Sequence, residues 1–122
     1  MRGRRTALGE GIAGVDLRLW GKSRGLDLRY PLVCHLLDAA AAAESLWHDY
    51  LTPVQRHAIT EGLGLQDKRH ASRLVAFWAA LHDIGKLIPE FQALDDDGWA
   101  ALAAAGYPSV APGPPLRHDR AA

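Results

Sequence analysis

An apolar run near the middle of the chain, Leu74-Val75-Ala76-Phe77-Trp78-Ala79-Ala80-Leu81, closes abruptly on His82-Asp83-Ile84-Gly85-Lys86. A helix over 71–82 would carry apolar residues on most of its sides and would need neighbours on most of its sides. It is therefore expected to be a central, buried helix. Gly85 offers the left-handed conformation that ends helices. An imidazole and a carboxylate then stand side by side at a helix terminus, where both side chains are free to converge on one point.

Elsewhere helix signals are plentiful and strand signals scarce. Leu32, Leu36, Ala40, Ala43, Trp47 and Tyr50 recur at three- to four-residue spacing, as one helix face requires. Pro31 fits the first helical position, where its missing N–H costs nothing. The alanines at 39–43 have the highest helix propensity and allow close packing. Thr52-Pro53-Val54-Gln55 predicts a second helix, with Thr52 as cap and Gln55 closing a capping box, ending near Gly62 to Gly64. A short fourth helix is expected after Asp97, stopping at Gly106. Beyond it Pro108, Pro112, Gly113, Pro114 and Pro115 exclude both helix and central strand. The fold class expected is all-α.

A length of 122 residues suits one domain with a modest core. Lysine plus arginine and aspartate plus glutamate both total 14, so no net charge announces a nucleic-acid or membrane partner. Arg2, Arg4 and Arg5 make residues 1–16 a flexible basic segment with no apolar stretch of a secretory signal behind it. The single cysteine, Cys34, excludes an intramolecular disulfide and fits a reducing compartment. No apolar run approaches the roughly 18 to 20 residues that span a bilayer. A soluble cytoplasmic protein is expected.

Neutral imidazole and ionised carboxylate together suit manganese, iron, cobalt, nickel and zinc. His82 and Asp83 supply two such donors, and His35, on a facing helix, supplies a third; Asp83 has two oxygens and can bridge two ions. A divalent ion held there generates hydroxide near neutral pH for in-line attack on phosphorus. Lys86 offers a point charge to a phosphate oxygen. Each residue also has a plainer reading. A lone histidine among leucines is more often a satisfied core residue, Asp38 can simply hydrogen-bond nearby, and Lys86 is favourable at any helix carboxyl terminus. His48, His57 and His70 lie among polar residues and read as solvated surface.

Taken in order, Leu19-Trp20-Gly21-Lys22-Ser23, Tyr30-Pro31-Leu32-Val33-Cys34-His35-Leu36-Leu37-Asp38, His82-Asp83-Ile84-Gly85-Lys86 with Phe91-Gln92, and Arg117-His118-Asp119 form a series. That series resembles the HD-superfamily nucleases, and more closely the amino-terminal HD nuclease domain of the type I CRISPR helicase-nuclease. The resemblance runs from about Leu17 to Asp119. It implies an HD-domain-like helical bundle and metal-dependent degradation of single-stranded DNA in antiviral defence, as endonuclease or exonuclease. It further implies a helicase domain and a guide-RNA surveillance complex as partners. By resemblance His35, His82 and Asp83 are first-ion ligands, Asp83 also bridges to a second ion, and His118 is a second-ion ligand. Lys86 lies near the scissile phosphate, and Trp20, Lys22 and Ser23 form a motif packed near the site. Manganese, iron, cobalt, nickel or magnesium would be the ion, while zinc can occupy such a site without supporting the reaction.

The family's pattern continues past Asp119 with adjacent histidines and a further aspartate. Residues 17–107 are accordingly expected to be a partial HD nuclease domain, incomplete at its carboxyl end, with 108–122 a Pro-rich tail carrying His118. The apolar surface left uncovered would favour self-association. Two alternatives stay open: an HD-type small-molecule phosphohydrolase, and a non-catalytic truncated or split-gene fragment.

Overall fold

The computed structural model of the chain describes residues 14–108. They are mostly helical, as expected, with one short ribbon that the sequence did not signal. Strand β1 (Trp20–Lys22) pairs antiparallel with β2 (Tyr30–Pro31). Runs of three and two residues are too short for the alternation that announces a strand.

Helix α1 (Leu32–Ser45) follows β2 directly. Pro31 is its extended cap residue, with φ −57° and ψ 139°, rather than the first helical residue expected. No side chain caps this end; the Leu32 N–H donates to Leu19 O at 2.7 Å, so the chain before β1 serves as the cap. A π-helical turn, Leu46–Tyr50, continues α1, with Leu51 N–H donating to Leu46 O. Trp47 is buried as expected, but Tyr50 is 76% exposed. A π turn rotates each residue less than an α turn, so the spacing that would carry Tyr50 to the core face carries it outward instead. The Arg56 guanidinium closes this end by donating to His48 O and Leu51 O.

Helix α2 (Pro53–Gly62) begins with the capping box read from the sequence. Gln55 N–H donates to Thr52 Oγ1 at 3.2 Å, and Thr52 N–H to Gln55 Oε1 at 2.8 Å. Gly64, at φ +68°, ends it. Thr52→Ala removes one acceptor and is expected to lower stability by about 1 kcal/mol in urea denaturation, with an unchanged m value. A loss under about 0.3 kcal/mol would show that the box contributes nothing.

Helix α3 (Lys68–Leu81) starts three residues earlier than expected because Asp67 caps it, accepting from Arg69 N–H at 2.8 Å. It packs along α1, with Ala71, Ser72 and Ala76 buried. The expectation of burial on most sides is corrected: Phe77 is 55% and Trp78 63% exposed. Each helical residue turns about 100° from the last, so the two positions after Ala76 leave the buried stripe. Hydrophobicity reported what this helix prefers, while its position beside α1 decides what it buries.

After His82 and Asp83, a 3₁₀ turn (Ile84–Leu87) leads to α4 (Pro89–Gln92) and α5 (Asp96–Ala104). Gly85 is buried inside the 3₁₀ turn and lacks the left-handed φ expected of it. Gly106, at φ +92°, does follow the end of α5. Among the described residues, no helix is long and apolar enough to cross a membrane.

Candidate metal centre

Three segments build the site. His35 sits in the first turn of α1, His82 caps the end of α3, and Asp83 precedes the 3₁₀ turn. The packing of α1 along α3 brings His35 to a dipeptide that follows it by more than 40 residues. The 3₁₀ turn adds Lys86: in this geometry residues i and i+3 eclipse, so Lys86 stacks over Asp83. On the other flank β1 runs close. A Cβ on Gly21 would stand 3.2 Å from both His35 Cβ and Leu32 Cα, so glycine permits this approach.

Asp83 Oδ2 is the point of convergence. It lies 2.8 Å from His35 Nε2, 3.1 Å from His82 Nε2 and 2.7 Å from Lys86 Nζ. Burial alone would push the Asp83 carboxyl up. Hydrogen bonds from Lys86 and His35, and the nearby charges of Lys86 and His82, outweigh it and hold the group at about 2. Asp83 is thus a carboxylate across the neutral range.

His82 Nδ1 lies 2.7 Å from Ala79 O. A carbonyl only accepts, so Nδ1 carries a proton and Nε2 is the nitrogen left to face Asp83. Nε2 donates to the carboxylate while the ring is charged, and once that proton leaves it offers a lone pair that a cation between the two groups could accept. Backbone support of the distal nitrogen is also how metal-binding imidazoles are oriented. One ligand atom each from His35, His82 and Asp83 lies within 4.8 Å of the others. Two imidazoles and one carboxylate fit a borderline divalent ion.

A model of the family described as "Cas3, HD domain" matches residues 20–122. The chain belongs to that family. The Cas3 endonuclease/helicase of Thermus thermophilus is 36% identical over 98 residues, covering 80% of this chain and 10% of that protein. A solved structure of a CRISPR RNA-guided surveillance complex, pre-nicking, contains a chain 47% identical, with TM-score 0.76, covering 88% of this chain and 12% of that one. The crystal structure of T. fusca Cas3-AMPPNP is 57% identical, with TM-score 0.61, over 64% of this chain and 9% of that one. The chain spans about a tenth of the length of the relatives it matches.

Within this Cas3 HD domain, the structure brings together four of the residues singled out in the sequence: His35, His82, Asp83 and Lys86. Trp20 is buried against Phe91, with ring centroids 4.7 Å apart. Its neighbours Lys22 and Ser23 border a cleft with Arg24 and Leu94. His118 and the Pro-rich tail from Ser109 onward lie outside the described residues, as do Arg2, Arg4 and Arg5. Asp38 accepts from Tyr30 OH at 2.7 Å, its plainer reading, and His48, His57 and His70 are exposed.

Two features were missed. Lys86 donates to Gly21 O at 3.0 Å as well as to Asp83, and Gln92, 1% exposed, bonds to Trp20 and Lys86. Gln92 was noted only as part of a motif. Its signal was a lone amide in a segment otherwise rich in apolar residues, Leu87 to Leu94.

Proposed function

We propose that this chain is the metal-dependent nuclease segment of a type I CRISPR helicase-nuclease, acting on single-stranded DNA in antiviral defence. The observation that carries the reading is the convergence of His35 Nε2, His82 Nε2 and Lys86 Nζ on one oxygen of Asp83. His35, His82 and Asp83 would hold a divalent ion: manganese, iron, cobalt, nickel or magnesium. When bound, that ion would lower the pKa of a bound water and so supply hydroxide as a nucleophile near neutral pH. The protein's own part is to hold the two ring nitrogens and the carboxylate in register. Lys86 presents a fixed positive charge where a phosphodiester oxygen would approach. His118 is proposed as a ligand of a second ion, and Trp20, Lys22 and Ser23 as a motif packed near the site. A helicase domain and a guide-RNA surveillance complex are the proposed partners, and the cytoplasm the proposed location.

The test is cleavage of circular single-stranded DNA by the 122-residue chain in manganese, cobalt or nickel, beside Asp83→Ala. Cleavage that requires metal and disappears in the variant would show that His35, His82 and Asp83 suffice for the reaction, and no cleavage in any metal would show that the family's further ligands are required. Circular DNA is cut only by an endonuclease, so a linear strand run in parallel separates the two modes. Hydrolysis of nucleotides with neither DNA cut would turn the reading to a small-molecule phosphohydrolase.

A further inference from the structure

The side-chain amide of Gln92 uses every hydrogen-bonding direction it is seen to have. Its Oε1 accepts Trp20 N–H at 3.1 Å, and its Nε2 donates to Trp20 O at 2.9 Å and to Lys86 O at 2.8 Å. The Gln92 backbone carbonyl also accepts Trp20 Nε1–H at 3.2 Å. A primary amide offers an acceptor and a donor side by side, as a peptide group does. Gln92 therefore pairs with Trp20 as a neighbouring strand would, and its second N–H crosses to the 3₁₀ turn.

Lys86 leaves that turn and returns. Its ammonium donates to Gly21 O, on the residue next to Trp20, and to Asp83 Oδ2, and it stands 5.4 Å from the Phe91 ring centroid. The circuit closes: Gln92 fixes the backbone from which Lys86 extends and also the strand whose carbonyl receives it. A lysine stem has many rotamers, and holding both of its ends removes most of them before any substrate arrives.

We propose that Gln92 is a positioning residue that sets the Lys86 ammonium on Asp83. The proposal deepens the metal-centre reading, on which it rests for what the positioned charge does to a phosphodiester, though not for the positioning itself.

The test follows the Lys86 ammonium protons of the metal-free chain by ¹⁵N correlation spectra, assigned by their loss in Lys86→Met. Gln92→Met fills the space without hydrogen bonds, and Gln92→Glu puts a carboxylate where a donor to Trp20 O and Lys86 O is needed. In both variants the ammonium protons are expected to exchange about tenfold faster, the factor that loss of one such bond corresponds to. Amide protection in α1 and α3 stays within about twofold of the parent, which a general loosening of the fold would not allow. Unchanged ammonium exchange would overturn the proposal, as would a parent ammonium too fast to observe. So would an equal loss of protection throughout α1 and α3, or failure of both variants to fold, since either makes Gln92 structural only. If the parent chain takes up no manganese, the metal reading fails and the exchange result stands.

Discussion

Asp83→Ala is expected to weaken manganese binding on the order of 100-fold, whereas His57→Ala leaves it unchanged. Asp83 is the anionic member of the cluster formed by His35, His82 and Asp83. At an effective dielectric of about 20, unit charges about 4 Å apart attract by about 4 kcal/mol, and a divalent ion feels more. Partial exposure of His82 lets water screen some of that, which brings the loss down to about 3 kcal/mol. The variant also leaves the Lys86 ammonium without its carboxylate, so a positive charge remains to repel the ion. Asp83→Asn separates charge from shape, because it keeps an oxygen of similar size and loses the charge. A fall nearly as large as that of alanine assigns the effect to charge. Equal manganese affinity in Asp83→Ala and His57→Ala, by calorimetry on chains shown to be folded, would remove Asp83 from the site.

The cluster was legible because its parts are local in kind. His82 and Asp83 are adjacent, and Lys86 follows at the spacing of one 3₁₀ turn. His35 joins them only through the packing of α1 on α3, and in the sequence it was named only as lying on a facing helix and through the family resemblance. Gln92 was not legible as a clamp. An amide in a short segment reads as solvent-facing, and nothing local says that the Trp20 backbone of β1 lies beside it. Phe77 and Trp78 failed in the opposite sense: their hydrophobicity is plain, yet burial depends on which neighbours the fold supplies. Tyr50 shows the limit of periodicity, since a π turn changes the rotation per residue that the spacing argument assumes, and Gly85 shows that a glycine after a helix can continue into a 3₁₀ turn instead of taking the left-handed cap.

Acid should expose the same ion pair through stability. The Asp83 carboxyl is held at about 2 in the folded chain, against 3.8 for the unperturbed group. A depressed carboxylate stabilises the fold fully above its unfolded pKa, and that contribution is lost as pH falls through the folded one. For Asp83 the window runs from pH 3.8 down to about 2. The shift corresponds to about 2 kcal/mol, present at about pH 5 and gone below about pH 2. Asp16, held below the usual carboxylate range chiefly by its hydrogen bond from Arg18, loses stability in the same direction, so the parent curve alone does not isolate Asp83. The comparison with Lys86→Met does. Without the ammonium, the Asp83 pKa moves up toward its unfolded value, and the fall in urea-measured stability between about pH 5 and pH 2 should shrink by about 1 kcal/mol. His35 still donates to Asp83 in that variant, so some slope persists. Parallel curves for the two chains would mean that Lys86 does not hold Asp83 in its charged form, and that their 2.7 Å approach contributes nothing to the fold.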